Sequence, residues 1–193
     1  MPLKPSFTDE VKAELANVQP ARPCCQQAEL AAMVETLAGP SDGAPMTLRI
    51  PRNAVARKAV HLARIAGGRV EAVRKGPTEK RPTYRLRLQL PAGRGSSDPC
   101  CARAILRGAF LARGVLGNPA DAYHLEIAAP AGAGLLAAGA ARASIALKRT
   151  TRRGRSVYYL KGADPISRML GLMGANRAVM RLENDRILRD MRS

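Results

Sequence analysis

The sequence predicts an α+β fold built from two tandem copies of one unit, with antiparallel or mixed sheet on one side and helices on the other. Three observations predict it. Two adjacent cysteine pairs, Cys24-Cys25 and Cys100-Cys101, lie 76 residues apart, and each opens an apolar helical stretch, CCQQAELAAMVETLAG and CCARAILRGAFLARG. After each pair the order helix, strand, helix, strand, strand recurs, as a duplicated unit requires. Tyr84 and Tyr158 fall at matching places in the two hairpins that close the copies.

The first helix is announced by Ser6-Phe7-Thr8-Asp9-Glu10, a hydroxyl cap followed by acids in the first turn, and runs to about Val18. Pro20 and Pro23 end it. The helix from Cys24 to about Leu37 closes at the loop Gly39 to Gly43, and the alternating Met46-Thr47-Leu48-Arg49-Ile50 reads as a strand. Asn53 suits the cap of the next helix. Arg57, Lys58, His61 and Arg64 form its polar stripe, leaving Val55, Ala59 and Leu62 for the core.

Gly67-Gly68 stops that helix, and strands 69–74 and 83–90 follow. In the second, Tyr84, Leu86, Leu88 and Leu90 share one face and Arg85, Arg87 and Gln89 the other. The pattern restarts after a Gly/Ser/Pro linker: a helix from Cys100, a strand 123–127, a small-residue helix near 133–143, and a hairpin of 144–150 and 156–161 turning at 152–155. Asp164 and Pro165 suit the start of another helix that stops at Gly174, and Asn176 suits the cap of a last one reaching Met191. The resulting segments are an N-terminal helix (1–23), half one (24–90), a linker (91–99), half two (100–161) and C-terminal helices (162–193).

Charge bounds the function. Among 193 residues, 32 Lys and Arg face 15 Asp and Glu, a net charge of +17. Such a field attracts polyanions, so nucleic acid is the leading partner. A 46% apolar content rules out a disordered polymer, and 3% aromatics without Trp mean a core of Ala, Leu, Val, Ile and Met. No apolar run has the length of a membrane span, and the first residues lack a signal peptide's apolar block, so a cytoplasmic location with reduced thiols is expected. Adjacent cysteines suit neither a CxxC zinc knuckle nor a mutual disulfide. A four-thiolate site made from both pairs is the alternative to buried cysteines at helix starts. The latter is the expectation, with no metal ligand set and no cofactor.

Ala28 and Ala32 recur at fourth positions in the first cysteine helix, as do Ala104, Gly108 and Ala112 in the second. Faces so small let two helix backbones approach more closely than the usual ~8–10 Å, and could form the seam between the halves.

On these residues a family resemblance rests. Leu106 to Gly114, LRGAFLARG, resembles a degenerate LAGLIDADG motif, the interface helix of homing endonucleases. The pieces SFTDEVKAEL, CCQQAELAA, CCARAILRGAFLARG, YHLEI, LMGANRAVMRLEN and DRILRDMR resemble, in order and along nearly the whole chain, the WhiA family of bacterial sporulation and cell-division regulators. The resemblance implies a tandem LAGLIDADG homing-endonuclease-like domain, with a pseudo-two-fold axis and a saddle-shaped sheet, followed in the family by a promoter-binding helix-turn-helix. The sequence stops at Ser193, before that element. A truncated paralogue or fragment, or a protein working through the scaffold domain alone, is expected.

LAGLIDADG nucleases place a metal-binding carboxylate at the motif's penultimate residue. The counterpart here is Arg113, and the equivalent position in the first copy is Leu37. Glu35 lies two residues earlier and its counterpart is Leu111. A metal-assisted nuclease site is therefore not expected, and the strand pair His124 and Glu126 has no nucleophile or second histidine to complete a catalytic set. No enzyme activity is expected.

The two hairpins carry the densest charge: seven basic residues against two acids from Arg69 to Arg87, and six with no acid from Lys148 to Lys161. Lys75, Lys80, Arg81, Arg85 and Arg87 in the first, and Lys148, Arg149, Arg152, Arg153, Arg155 and Lys161 in the second, are the candidates for phosphate contacts with double-stranded DNA. The resemblance implies a nucleoid-associated, non-catalytic transcriptional regulator. The competing expectation is a protein-interaction scaffold for a sigma factor or another sporulation regulator, docking around Ile187, Leu188 and Met191.

Overall fold

The computed structural model describes residues 4–74, 83–91 and 98–193. Helix α1 (Phe7–Ala16) starts in a capping box: Ser6 Oγ accepts from the Asp9 amide, and the Asp9 carboxylate accepts from the Ser6 amide. There follow α2 (Pro23–Ala38), β1 (Met46–Ile50), α3 (Asn53–Ile65), β2 (Arg69–Arg74) and β3 (Tyr84–Gln89). The second set is α4 (Cys101–Arg113), β4 (Gly114–Leu116), β5 (His124–Ala129), α5 (Leu135–Arg142), β6 (Lys148–Arg152) and β7 (Arg155–Lys161). Two helices finish the chain, α6 (Ala163–Met173) and α7 (Asn176–Arg192).

The sheets repeat one topology. The first has the order β1-β3-β2 and the second β4-β5-β7-β6, all neighbours antiparallel, so the central strand is each time the last to be made. Tyr84 lies opposite Ile50, and Tyr158 opposite Ile127, both on the core side. The short edge strand β4 is the addition that alternation did not reveal, since three residues carry almost no period. Its free edge is bound by α1: the Thr8 hydroxyl accepts from the Leu116 amide at 2.9 Å and donates to the Leu116 carbonyl at 3.1 Å.

Several helix starts differ from expectation, and each for a physical reason. Asn53 is the first residue of α3, and Arg52 holds the cap position while its side chain pairs with Asp9 at 2.6 Å. Asp164 and Pro165 are the second and third residues of α6, where proline is tolerated because first-turn amides have no helical acceptor. Helix α7 has no side-chain cap of its own. The Glu14 carboxylate of α1 supplies it, accepting from the amides of Arg177 and Ala178 at 2.8 and 3.1 Å. The β6–β7 turn is two residues rather than four: Arg153 and Gly154 both have positive φ, +50° and +74°, the geometry that matches strand twist.

At the centre, α2 and α4 pack side by side along the small-residue faces. Ala28, Ala32 and Ala104 are buried, and Ala112 is half-buried at the far end. Gly108 marks the closest approach, because a Cβ there would lie 2.2 Å from the Glu29 carbonyl oxygen and 3.2 Å from the Ala32 Cβ. Around this seam, Leu30, Met33, Leu48, Leu86, Leu88, Leu106, Phe110, Leu125 and Leu170 form one continuous core joining both halves and the C-terminal helices. Gly108→Ala is expected to lower stability by about 1–3 kcal/mol through overpacking. Gly171→Ala, with nothing near its added methyl, serves as the control and should be neutral or stabilising by ~0.5–1 kcal/mol. Urea unfolding of both variants checks this.

Candidate nucleic-acid interface

Strand alternation lays the apolar side chains of each sheet on the helices and turns the others outward. In the first sheet Leu48, Ile50, Leu86 and Leu88 are buried, while Thr47, Arg49, Arg85, Arg87 and Glu71 are exposed. The register sets Arg49 directly opposite Arg85, and Arg87 between Thr47 and Glu71. In the second sheet the outward face carries His124 opposite Lys161, and Glu126 in line with Tyr159 and Lys148. Arg152 lies directly opposite Arg155 across the tight turn, beside exposed Arg153. Arg149 differs from its neighbours: it shares the opposite face with Tyr158, its guanidinium 6.0 Å from that ring. Lys75, Lys80 and Arg81 lie outside the described residues.

Glu126 holds part of this face in place. Its carboxylate accepts from Arg152 at 3.2 Å and meets His124 Nε2 at 3.1 Å, while the His124 ring stacks near Tyr159 and the Lys161 ammonium lies over the same tyrosine. The His124–Glu126 pair thus shares one strand face, as the spacing predicts, within a basic surface.

The motif's last turn is equally well occupied. Arg113 reaches across the seam and donates to the Thr36 carbonyl at 3.2 Å and the Leu37 carbonyl at 3.5 Å, a guanidinium at the negative end of α2. Glu35 points elsewhere, accepting from the Leu135 amide at 2.8 Å where α5 begins. Arg113 is accompanied by other cations: Arg52 and Arg113 both act on Lys12, and Arg155 acts on Arg113. Lys12 is buried with its ammonium 5.8 Å from the Phe110 ring centre, and burial pushes it down to about 7, helped by Arg52 and opposed by Asp9.

One arrangement escaped the sequence pattern, and a second stood there only as an alternative. The first is a buried ionic cluster. Glu29 is 0% exposed, Lys58 3% and Arg107 6%. Arg107 donates to Glu29 Oε2 through Nε at 2.9 Å and Nη2 at 2.7 Å, and Lys58 pairs with Oε1. Lys58 therefore leaves the solvent stripe assigned to it, because its acid lies on α2 and not on its own helix. The signal available was one glutamate, Glu29, within the apolar run of α2. The second is a convergence of Cys24, Cys25, Cys100 and Cys101, whose Sγ atoms all lie within 4.8 Å of one another. They are thiols, not disulfides. Cys25 and Cys101 are buried at the helix starts, and the convergence is the one that the four-thiolate alternative requires.

A family model described as the WhiA LAGLIDADG-like domain matches residues 102–192. A probable cell division protein WhiA of Moorella thermoacetica is 37% identical over 210 residues, spanning 100% of this chain and 66% of that protein. One of Heliobacterium modesticaldum is 33% identical, spanning 97% of this chain and 69% of the relative. The chain belongs to the WhiA family. It spans about two thirds of the length of these WhiA relatives. Full-length DUF199/WhiA from Thermatoga maritima superposes with a TM-score of 0.82 at 20% identity, over 96% of this chain and 67% of that one. I-DmoI, solved in complex with DNA and Mn, superposes with a TM-score of 0.51 at 13% identity, over 79% of this chain and 98% of its own. The shared fold is LAGLIDADG-like. No described helix is long and apolar enough to cross a membrane.

In this WhiA-family chain Lys12 makes stability depend on pH. Its folded pKa lies below its ordinary value, so from about pH 7 upward the unfolded chain binds more protons, and stability rises with pH. Urea unfolding at about pH 6.5 and about pH 8.5 should show a slope that Lys12→Met loses, by at most about 1.4 kcal/mol per pH unit. Lys58, also held low by burial, is present in both proteins and cancels.

Proposed function

We propose that this chain is a non-catalytic, DNA-binding regulator of the WhiA type, acting in cell division and sporulation, that grips duplex phosphates with the outward faces of its two sheets. One observation carries the proposal. Each sheet sets two arginines directly opposite one another on its open face, Arg49 with Arg85 and Arg152 with Arg155. Directly opposed like charges destabilise a sheet, so their presence in both halves suits a surface that is neutralised by a polyanion. Lys148 and Lys161 extend the second patch. The contacts such side chains make are strong, salt-dependent and poor in sequence information.

Cleavage is a poor reading of the same surface. A nuclease of this fold needs a carboxylate where Arg113 stands, and that guanidinium is engaged by the carbonyl end of α2. A protein scaffold is the second reading, favoured by Ile187, Leu188 and Met191 on α7, exposed to 55%, 50% and 78%.

The salt dependence of duplex binding tests the first reading. Affinity should fall steeply as salt rises, and Arg85→Gln with Arg87→Gln should flatten the slope by about 0.9 per lost phosphate contact. Binding that is indifferent to salt, or unchanged in that variant and in Arg152→Gln/Arg155→Gln, would refute it. Loss of partner capture on changing Leu188 and Met191 to Ser, with DNA binding absent in the parent, would favour the scaffold.

A further inference from the structure

We infer that Cys24, Cys25, Cys100 and Cys101 form a tetrahedral site for one zinc ion, which fastens the two halves together at the N-terminal end of the α2–α4 seam.

The distances select the ion. Cys24 and Cys100 Sγ are 3.7 Å apart across the seam, and the sulfurs within each pair are 3.9 Å apart. A tetrahedron of Zn–S bonds of about 2.3 Å has sulfur–sulfur edges of about 3.8 Å. With every pair within 4.8 Å, small side-chain rotations centre a single ion. An iron–sulfide cluster would need several atoms between the thiols, and there is no space for them. Four sulfur ligands in tetrahedral array also suit zinc over harder cations, which take oxygen ligands.

The surroundings fit a closed structural site. Cys25 and Cys101 are buried, on a floor formed by Ala28, Ala32, Ala104, Ile105 and Leu135. Cys24 and Cys100 are half-exposed and give the ion its entry path. Neither α2 nor α4 has an acid in its first turn, and the Arg22 side chain lies against the Cys100 thiol. Two positive helix ends and a guanidinium therefore face a site that becomes anionic. Binding converts Zn²⁺ and four thiols into a tetrathiolate of charge 2− with release of four protons, so affinity rises with pH. Nothing is oxidised or reduced.

The parallel seam would then be held at both ends. Zinc clasps the helix starts, and Arg113 grips the end of α2 from α4.

Cobalt(II), titrated into the reduced full chain, tests the site through its spectrum. Saturation at one equivalent, with intense visible and thiolate charge-transfer bands that zinc abolishes, is expected. Cys24→Ser and Cys100→Ser, at the two half-exposed positions, should each lose those bands while keeping the far-UV circular dichroism of the parent. In the unmodified chain one equivalent of zinc should remove the reactivity of all four thiols towards a disulfide reagent, which decides the matter should either variant fail to fold. The weak spectrum of hydrated cobalt, bands that persist in both folded variants, thiols equally reactive with and without zinc, or a Cys24–Cys100 disulfide formed in preference to metal would each overturn the assignment.

Discussion

The Glu29 carboxylate is the point on which the fold depends. It sits without solvent contact on α2 and receives Arg107 from α4 and Lys58 from α3. One acid cannot balance two cations, and the remainder is met by carbonyls at helix ends. Lys58 donates to the carbonyls of Leu15, in the last turn of α1, and Val18, just beyond it, and Arg107 donates to the Met173 carbonyl that ends α6. Those are negative ends of helix dipoles. Five helices from both halves and both ends of the chain thus meet at one buried ionic cluster. Desolvating each ion costs several kcal/mol, and removing one partner of such a set costs about 3–5 kcal/mol. The cluster therefore specifies one arrangement of the helices more than it adds net stability.

From that arrangement the rest follows. The Glu29 carbonyl lies against Gly108, so the residue that supplies the buried acid also fixes the closest backbone approach of the seam. A seam this tight leaves no latitude in how the sheets sit on their helices, and the basic outward faces take their positions from it. Arg113 belongs to the same seam, at the far end of its two helices. At the turn where a nuclease needs an acid, it satisfies the end of the neighbouring helix.

Much of this was legible in the sequence. The doubled cysteines and repeated element order gave the duplication, and the Leu/Arg alternation of β3 gave both its buried and its open face. The resemblance to the WhiA family rested on motifs spread along nearly the whole chain. What escaped were features whose partners lie far apart in sequence. Lys58 sits on a helix whose basic residues look uniformly solvated, and only its packing against Glu29, from another helix, buries it. Arg149 breaks the grouping of hairpin cations, because alternation along β6 puts it on the face of Tyr158, opposite Lys148 and Arg152. Glu14 caps a helix that starts more than 160 positions later. The four-thiolate alternative stayed undecided, since the sulfurs converge only because the two cysteine helices run parallel, which spacing alone could not settle.

A double-mutant cycle between Glu29 and Arg107 tests the central role of this buried cluster most directly. Urea unfolding of Glu29→Gln, Arg107→Met and the double variant gives the coupling between the two sites. Strong coupling, about 2–3 kcal/mol, with the double variant nearly as stable as the worse single one, is expected for groups that are costly only when left alone. Additivity within about 0.5 kcal/mol would mean that the cluster does not lock the halves together.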